Sequence, residues 1–206
     1  MGWEKINQDI DGKVVSGGGG LGEEIDLSKD GSTIIVGAPN GFPVNGYAQV
    51  FRNQSNSWQQ IGDDINGDAV EDQFGDKVSI SADGSIIAIS GYKHDNDKGH
   101  VRIFKNQNDT WIQVGNDIDG EIGGDSSGIG LDLSSDGSII AIGSTGHDSS
   151  KGHVRVFQNQ SNSWVQLGND IDGEAINDSS ADSLSLSSDG VILAIGAPYN
   201  DGGGND

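Results

Sequence analysis

The phrase LSSDGSIIAIG at 133–143 recurs with small changes at 27–37, 80–90 and 186–196. Asp30, Asp83, Asp136 and Asp189 are each 53 residues apart, and Trp3, Trp58, Trp111 and Trp164 follow at spacings of 55, 53 and 53. Each of the first three of these Asp residues lies 28 residues before the next Trp, so the extra pair of residues falls between Trp3 and Asp30, near the run Gly17–Gly20. A fixed period of this size demands a repeat architecture, in which one small unit buries its apolar face against the next.

Each unit divides into four short β-like segments. The first alternates apolar and small polar residues, as in Ile25-Asp-Leu27, Val78-Ser-Ile80, Leu131-Asp-Leu133 and Leu184-Ser-Leu186. An Asp-Gly pair follows and marks a tight hairpin, because Gly tolerates positive φ and Asp bonds its own backbone. The second segment is a continuous apolar run such as Ile139–Ile142, the pattern of a strand covered on both faces. A polar loop leads to the third, Val101–Phe104 or Val154–Phe157, and an Asn/Ser-rich hairpin leads to the fourth, Trp164–Leu167. Four-stranded units at this period predict an all-β fold, a β-propeller of antiparallel blades. The repeats span about 21–66, 74–119 and 128–172, with a partial repeat at 182–206 and a segment at 1–12 that reads as a fourth strand, all in one domain.

Certain residues resemble the FG-GAP repeats of the integrin α-subunit propeller. Phe74-Gly75 matches the FG element, and Gly37-Ala-Pro39 and Gly196-Ala-Pro198 match GAP. Leu21-Gly22, Ile129-Gly130, Gly91 and Gly143 read as degenerate copies. The resemblance runs the length of the chain and implies an extracellular adhesion module, secreted or at the cell surface. It also implies a calcium loop of the form Asp-x-Asp-x-Asp-Gly between first and second strands. Here that loop is Ser-x-Asp-Gly, and one carboxylate cannot supply the six to eight oxygens calcium takes, so that site is not carried over.

In this strand order the last repeat ends after its second strand, at a glycine-rich stretch. An unpaired edge exposes backbone donors and acceptors and invites another strand. Three readings remain: a portion of a larger propeller, closure in cis by the N-terminal segment, or self-association through the edge into a ring or fibre.

Charge narrows the partners. The chain carries 11 Lys plus Arg against 32 Asp plus Glu, a formal charge of −21. Nucleic acid and anionic membrane surfaces are therefore disfavoured. Cations and neutral glycans or proteins remain, and the acidity suits a saline, extracellular setting. There is no cysteine, and no apolar run of membrane-spanning length.

Acids cluster after each fourth strand. The clusters Asp64-Ile-Asn-Gly-Asp68, Asp117-Ile-Asp119-Gly-Glu121 and Asp170-Ile-Asp172-Gly-Glu174 are candidate calcium ligands, since alternate carboxylates around a glycine can wrap a hard cation. The alternative is a tight turn with its acids in water. Four histidines fall at matching places in two repeats, His94 with His100 and His147 with His153. They read either as a two-His zinc or copper site or as residues near the blade edge. Asn53, Asn108, Asn159 and Asn177 head glycosylation sequons. The tryptophans are inter-blade packing residues or stacking platforms for a ligand. No nucleophile–base arrangement is visible, so the expectation is a non-enzymatic structural or adhesive propeller that self-associates. The alternative is a calcium-dependent glycan- or protein-binding module.

Overall fold

A computed structural model describes residues 2, 5, 9–12, 20–40 and 45–202. Trp3, half of the 1–12 segment and Gly17–Gly19 lie outside the described residues. The first blade comprises β1 (Ile25–Leu27), β2 (Thr33–Ala38), β3 (Tyr47–Gln54), β4 (Ser57–Gln60) and β5 (Ile65–Asn66). The second comprises β6 (Val78–Ile80), β7 (Ile86–Gly91), β8 (His100–Gln107), β9 (Thr110–Gln113) and β10 (Ile118–Asp119). The third comprises β11 (Ser127–Leu133), β12 (Ile139–Ser144), β13 (His153–Gln160), β14 (Ser163–Gln166) and β15 (Ile171–Asp172). A final pair, β16 (Ser183–Leu186) and β17 (Leu193–Gly196), makes a two-stranded sheet.

All strand pairings within the blades are antiparallel, and the expected fold class, a propeller of antiparallel blades, is what the chain adopts, although among the described residues the sheets do not close into a ring. The outer strand is broken: β4 and β5 both pair with β3, as β9 and β10 do with β8 and β14 and β15 with β13. Part of what reads in sequence as an acidic loop is therefore strand. Ile118 pairs with Val101 and Asp119 with His100.

Apolar clusters lie between the blades. Ile35, Ala48 and Val50 of the first blade meet Val78, Ile80, Ile87 and Ile89 of the second. Ala88, Val101 and Ile103 then meet Leu133, Ile140 and Ile142 of the third, and Ala141 and Val154 meet Ala181, Leu184 and Leu193. The second strands β7 and β12 each feed both of their faces into these layers, which explains their uninterrupted apolar runs. The tryptophans seal the outer ends. Trp111 donates its indole N–H to the Ile61 carbonyl at 3.1 Å, and Trp164 to that of Val114 at 2.9 Å, each reaching one blade back.

The polar residue at the middle of each innermost strand faces the next blade. Asp26 Oδ2 accepts from Ile80 N at 2.8 Å, Ser79 Oγ from Leu133 N at 3.2 Å, and Asp132 Oδ2 from Leu186 N at 2.6 Å. A backbone ladder runs beside it: Lys29 N to Ala82 O, Ala82 N to Ser135 O, Ser135 N to Ser188 O. The recurring Ser-x-Asp-Gly is a self-contained turn. Asp136 Oδ1 accepts from Ser134 Oγ, Ser138 N and Ser138 Oγ, while Ser134 Oγ accepts from Ile139 N. Those bonds, the Ser138 amide foremost, hold the Asp136 carboxyl below the ordinary aspartate range.

The Phe74-Gly75 and Gly37-Ala38 stretches touch. Gly75, at φ +96°, packs its carbonyl against Gly37, where any Cβ would clash. The matching pair one blade on is Gly128 (φ +98°) against Ser90, then Ala181 (φ +77°) against Gly143. By this contact the third-blade counterpart of Gly75 is Gly128 rather than Gly130, and the second-blade counterpart of Gly37 is Ser90 rather than Gly91. Backbone conformation and close approach select these positions, whereas the motif string does not.

Asp132→Ala leaves the Leu186 amide without its acceptor and is expected to cost about 1–3 kcal/mol. Asp132→Ser, which copies the residue at 79, should recover part of that loss; urea midpoints measure both. Acid provides a second check. The Asp136 carboxyl titrates lower in the fold than in the unfolded chain, so its contribution is present above the ordinary value of 3.8 and is lost as pH falls through the lowered native value. Asp136→Asn should therefore flatten the fall of the urea midpoint between about pH 5 and pH 2.

Candidate functional site

Antiparallel order puts the Asp-Gly hairpins and the β3–β4, β8–β9 and β13–β14 turns at one end of the blades. The β2–β3, β7–β8 and β12–β13 loops share the other end with the acidic connectors. Both histidine pairs lie on the connector side. The β7–β8 loop makes a left-handed turn with Asp95, Asn96 and Asp97 at φ of 51°, 59° and 58°, and the β12–β13 loop repeats it at Asp148, Ser149 and Ser150. Short polar residues bear this conformation best because their side chains bond locally. The turn swings His94 back over His100, the first residue of β8, and His147 over His153, the first of β13.

The rings stack. His94 and His100 lie 4.1 Å apart with 5° between planes, and His147 and His153 lie 4.0 Å apart at 22°. His100 and His153 are fully buried, and none of their four ring nitrogens makes a hydrogen bond. A buried imidazole left this way costs roughly 1–3 kcal/mol for each unmet group. Burial, reinforced by His94, holds His100 below the ordinary histidine value of 6.5. Burial, with His147 and Arg155 adding to it, does the same for His153.

Carboxylates converge on each stack. Asp72 Oδ2 is 3.1 Å from His94 Nδ1, and Asp125 Oδ1 is 3.1 Å from His147 Nδ1. Asp117 Oδ2 is 3.5 Å from His100 Nδ1, and Asp170 Oδ2 is 3.8 Å from His153 Nδ1. Three sets have ligand atoms all within 4.8 Å of one another: Asp72, His94 and His100; Glu121, His147 and His153; Asp68, His100 and Asp117. Asp72 and Asp125, nearly fully buried, also cap the connectors, accepting from Ala69 N and from the Glu121 and Ile122 amides.

The candidate calcium ligands thus divide. Asp68, Asp117 and Glu121 join histidine-containing sets. Asp64, Asp117 and Asp170 each accept a hydrogen bond from a glutamine, respectively Gln49 with Gln60, Gln113 and Gln166. Those bonds buttress the break in each outer strand. Asp119 offers its backbone carbonyl to Arg155, Asp172 lies exposed on β15, and Glu174 accepts from Asn200. Among the described residues, no set of carboxylates alone comes together within that distance. The sequons also divide: Asn108 and Asn177 are exposed in turns, while Asn53 and Asn159 are half-buried on β3 and β13. Beside Trp164, a groove of about 370 Å³ is lined by Asp117, Asp119, Arg155 and Phe157.

No protein-family model and no curated protein matches the chain. Solved structures do. A protein from Bacteroides uniformis, provisionally assigned as a 6-phosphogluconolactonase, superimposes with a TM-score of 0.58 at 14% identity over 85% of this chain and 46% of its own. Hydrazine synthase from Kuenenia stuttgartiensis gives 0.59 at 16% over 90% and 44%, and TolB from Acinetobacter baumannii 0.51 at 16% over 84% and 37%. The chain spans less than half the length of each. At such identities the likeness is one of fold: the lactonase-like protein and TolB are propellers, and this chain shares their blade architecture.

Because His100 and His153 titrate lower in the fold, the unfolded chain takes up these protons first. Native stability is full above pH 6.5 and falls as pH drops through the lowered values. In chelator-containing buffer the urea midpoint should decline between about pH 7 and pH 5; a level midpoint contradicts the assignment.

Proposed function

We propose that this chain is a non-enzymatic structural propeller that associates head to tail with a second copy of itself through its two open blade faces, in an extracellular, adhesive role. The carrying observation is that the two open faces are complementary by repeat. Within the chain, the glycine of each Asp-Gly turn rests on the preceding blade: Gly84 on Thr33, Gly137 on Ile86 and Gly190 on Ile139. The next residue in that series is Ile192, which is 70% exposed. At the opposite face Ile25 and Leu27 are 58% and 51% exposed, whereas their counterparts Val78 and Ile80, covered by the first blade, are 5% and 7% exposed.

The polar register continues across the same junction. Ser185 follows Asp26, Ser79 and Asp132 in the series that accepts an inner-strand amide from the next blade, and Leu27 N is the corresponding donor. Ser188 N continues the backbone ladder, with the Lys29 carbonyl as the corresponding acceptor. A second copy therefore finds on the last sheet the contacts that the second blade finds on the first. An interface that joins one face to a different face grows into a closed ring or an open fibre according to its rotation. The charge of −21 favours solubility of each unit and makes the association dependent on salt. The FG-GAP-like elements support an extracellular adhesion setting for such an assembly.

Sedimentation velocity across a concentration series tests the reading. Mass should rise with concentration and with salt, and both Ile192→Asp and Leu27→Asp should return the protein to monomer with unchanged circular dichroism. A monomer at every concentration refutes it.

A further inference from the structure

We propose that the two histidine stacks are two binding sites for a borderline divalent transition metal of the zinc class, alike in their histidines and different in the carboxylate that joins them. Asp72, His94 and His100 are the ligands of one, and Glu121, His147 and His153 those of the other. Three observations meet here. His100 and His153 are wholly enclosed, and all their ring nitrogens lack hydrogen bonds. Buried polar groups in folded proteins are ordinarily satisfied, so four unmet nitrogens in two equivalent places call for a partner. Next, His94 Nδ1 and Asp72 Oδ2 approach to 3.1 Å, yet the buried nitrogen makes no hydrogen bond. At the matching place in the next blade His147 Nδ1 and Asp125 Oδ1 lie 3.1 Å apart in a hydrogen bond, so a carboxylate stands beside the loop histidine of each stack. Finally, each set brings its donor atoms within 4.8 Å, the spacing of ligands around one ion.

The histidines also keep company within the chain. Where the buried residue is histidine, at 100 and 153, the loop supplies a second histidine at 94 and 147. In the first blade the buried position is Tyr47, and the loop 39–46 carries no histidine. In the last, the loop position is Asn200, which bonds to Asp178 and Glu174 instead. A buried imidazole serving only to fill space would place no demand on a loop residue stacked above it.

Donor chemistry selects the ion. Two imidazoles and a carboxylate suit zinc, cobalt, nickel or copper, whereas calcium and magnesium take oxygen. Three protein ligands leave a fourth position for water. In the stack the two rings present their nitrogens side by side. Binding requires the loop histidine to tilt, which its position on an exposed left-handed turn permits, while His100 and His153 stay fixed at the heads of β8 and β13. Asp68 and Asp117 lie by Arg102, at 3.2 and 3.8 Å, and are already compensated in charge.

Titration calorimetry of the whole chain with zinc chloride, in the presence of excess calcium, should give two sites per chain. His94→Ala and His147→Ala should each leave one, and the double variant none; both residues lie on loops, and circular dichroism verifies that the blades persist. Cobalt added to the unaltered protein gives an independent reading. The intense visible bands of four-coordinate cobalt support nitrogen ligation, and the pale spectrum of an all-oxygen octahedral site overturns it. No zinc binding, or binding that the double variant retains, also overturns the proposal.

Discussion

The hydrogen bond thrown from the middle of one innermost strand to the amide of the next blade governs this molecule. It is made where blades converge and apolar side chains have least room to separate them. A short carboxylate or hydroxyl satisfies there an amide that the blade's own ladder leaves unpaired. With the backbone ladder from Lys29 through Ala82 and Ser135 to Ser188, it fixes the angle and height of each blade relative to its neighbour. The apolar layers supply most of the driving force, but hydrophobic burial is non-directional and would tolerate a slide. The polar latch would not.

Once blades are held at that spacing, the turn glycines follow. Gly37 and Gly75 meet backbone to backbone, and the pairs Ser90 with Gly128 and Gly143 with Ala181 repeat the contact with one small residue exchanged. At least one glycine survives in each pair because two Cβ atoms cannot share the space. The tryptophans complete the wedge at the outer rim, where blades diverge and a large side chain is needed to bridge the gap. Size therefore grades along each blade, from glycine and serine inside to indole outside, as the geometry of a radial array requires.

Much of this was legible in the sequence. The period, the Asp-Gly turns and the doubly covered second strands follow from spacing and residue type, and of the two readings of the tryptophans Trp111 and Trp164 take the packing one. What could not be read depends on neighbours 53 residues away. The polar residues at 26, 79 and 132 alternate with apolar ones and look like a solvent face, yet Ser79 is buried because another blade covers it. The acids at 64, 117 and 170 look free, yet Gln60, Gln113 and Gln166, each four residues earlier at the end of the preceding strand, claim them. His100 and His153 read as edge residues because they follow a polar loop. They are buried because the loop folds back in a left-handed turn that no local pattern of Asp, Asn and Ser specifies uniquely. The signal that raised the two-His reading is local and plain, two histidines at a constant separation of six residues, occurring twice, whereas the carboxylates that join them are not marked by it.

The inner-strand latch alternates in identity: aspartate, serine, aspartate, serine at 26, 79, 132 and 185. Blades thus come in two parities, and the unit that restores the latch is a couplet rather than a single sheet. An array with an even number of blades preserves the alternation all the way round. An odd one would bring two like members together at a seam, setting carboxylate after carboxylate or hydroxyl after hydroxyl.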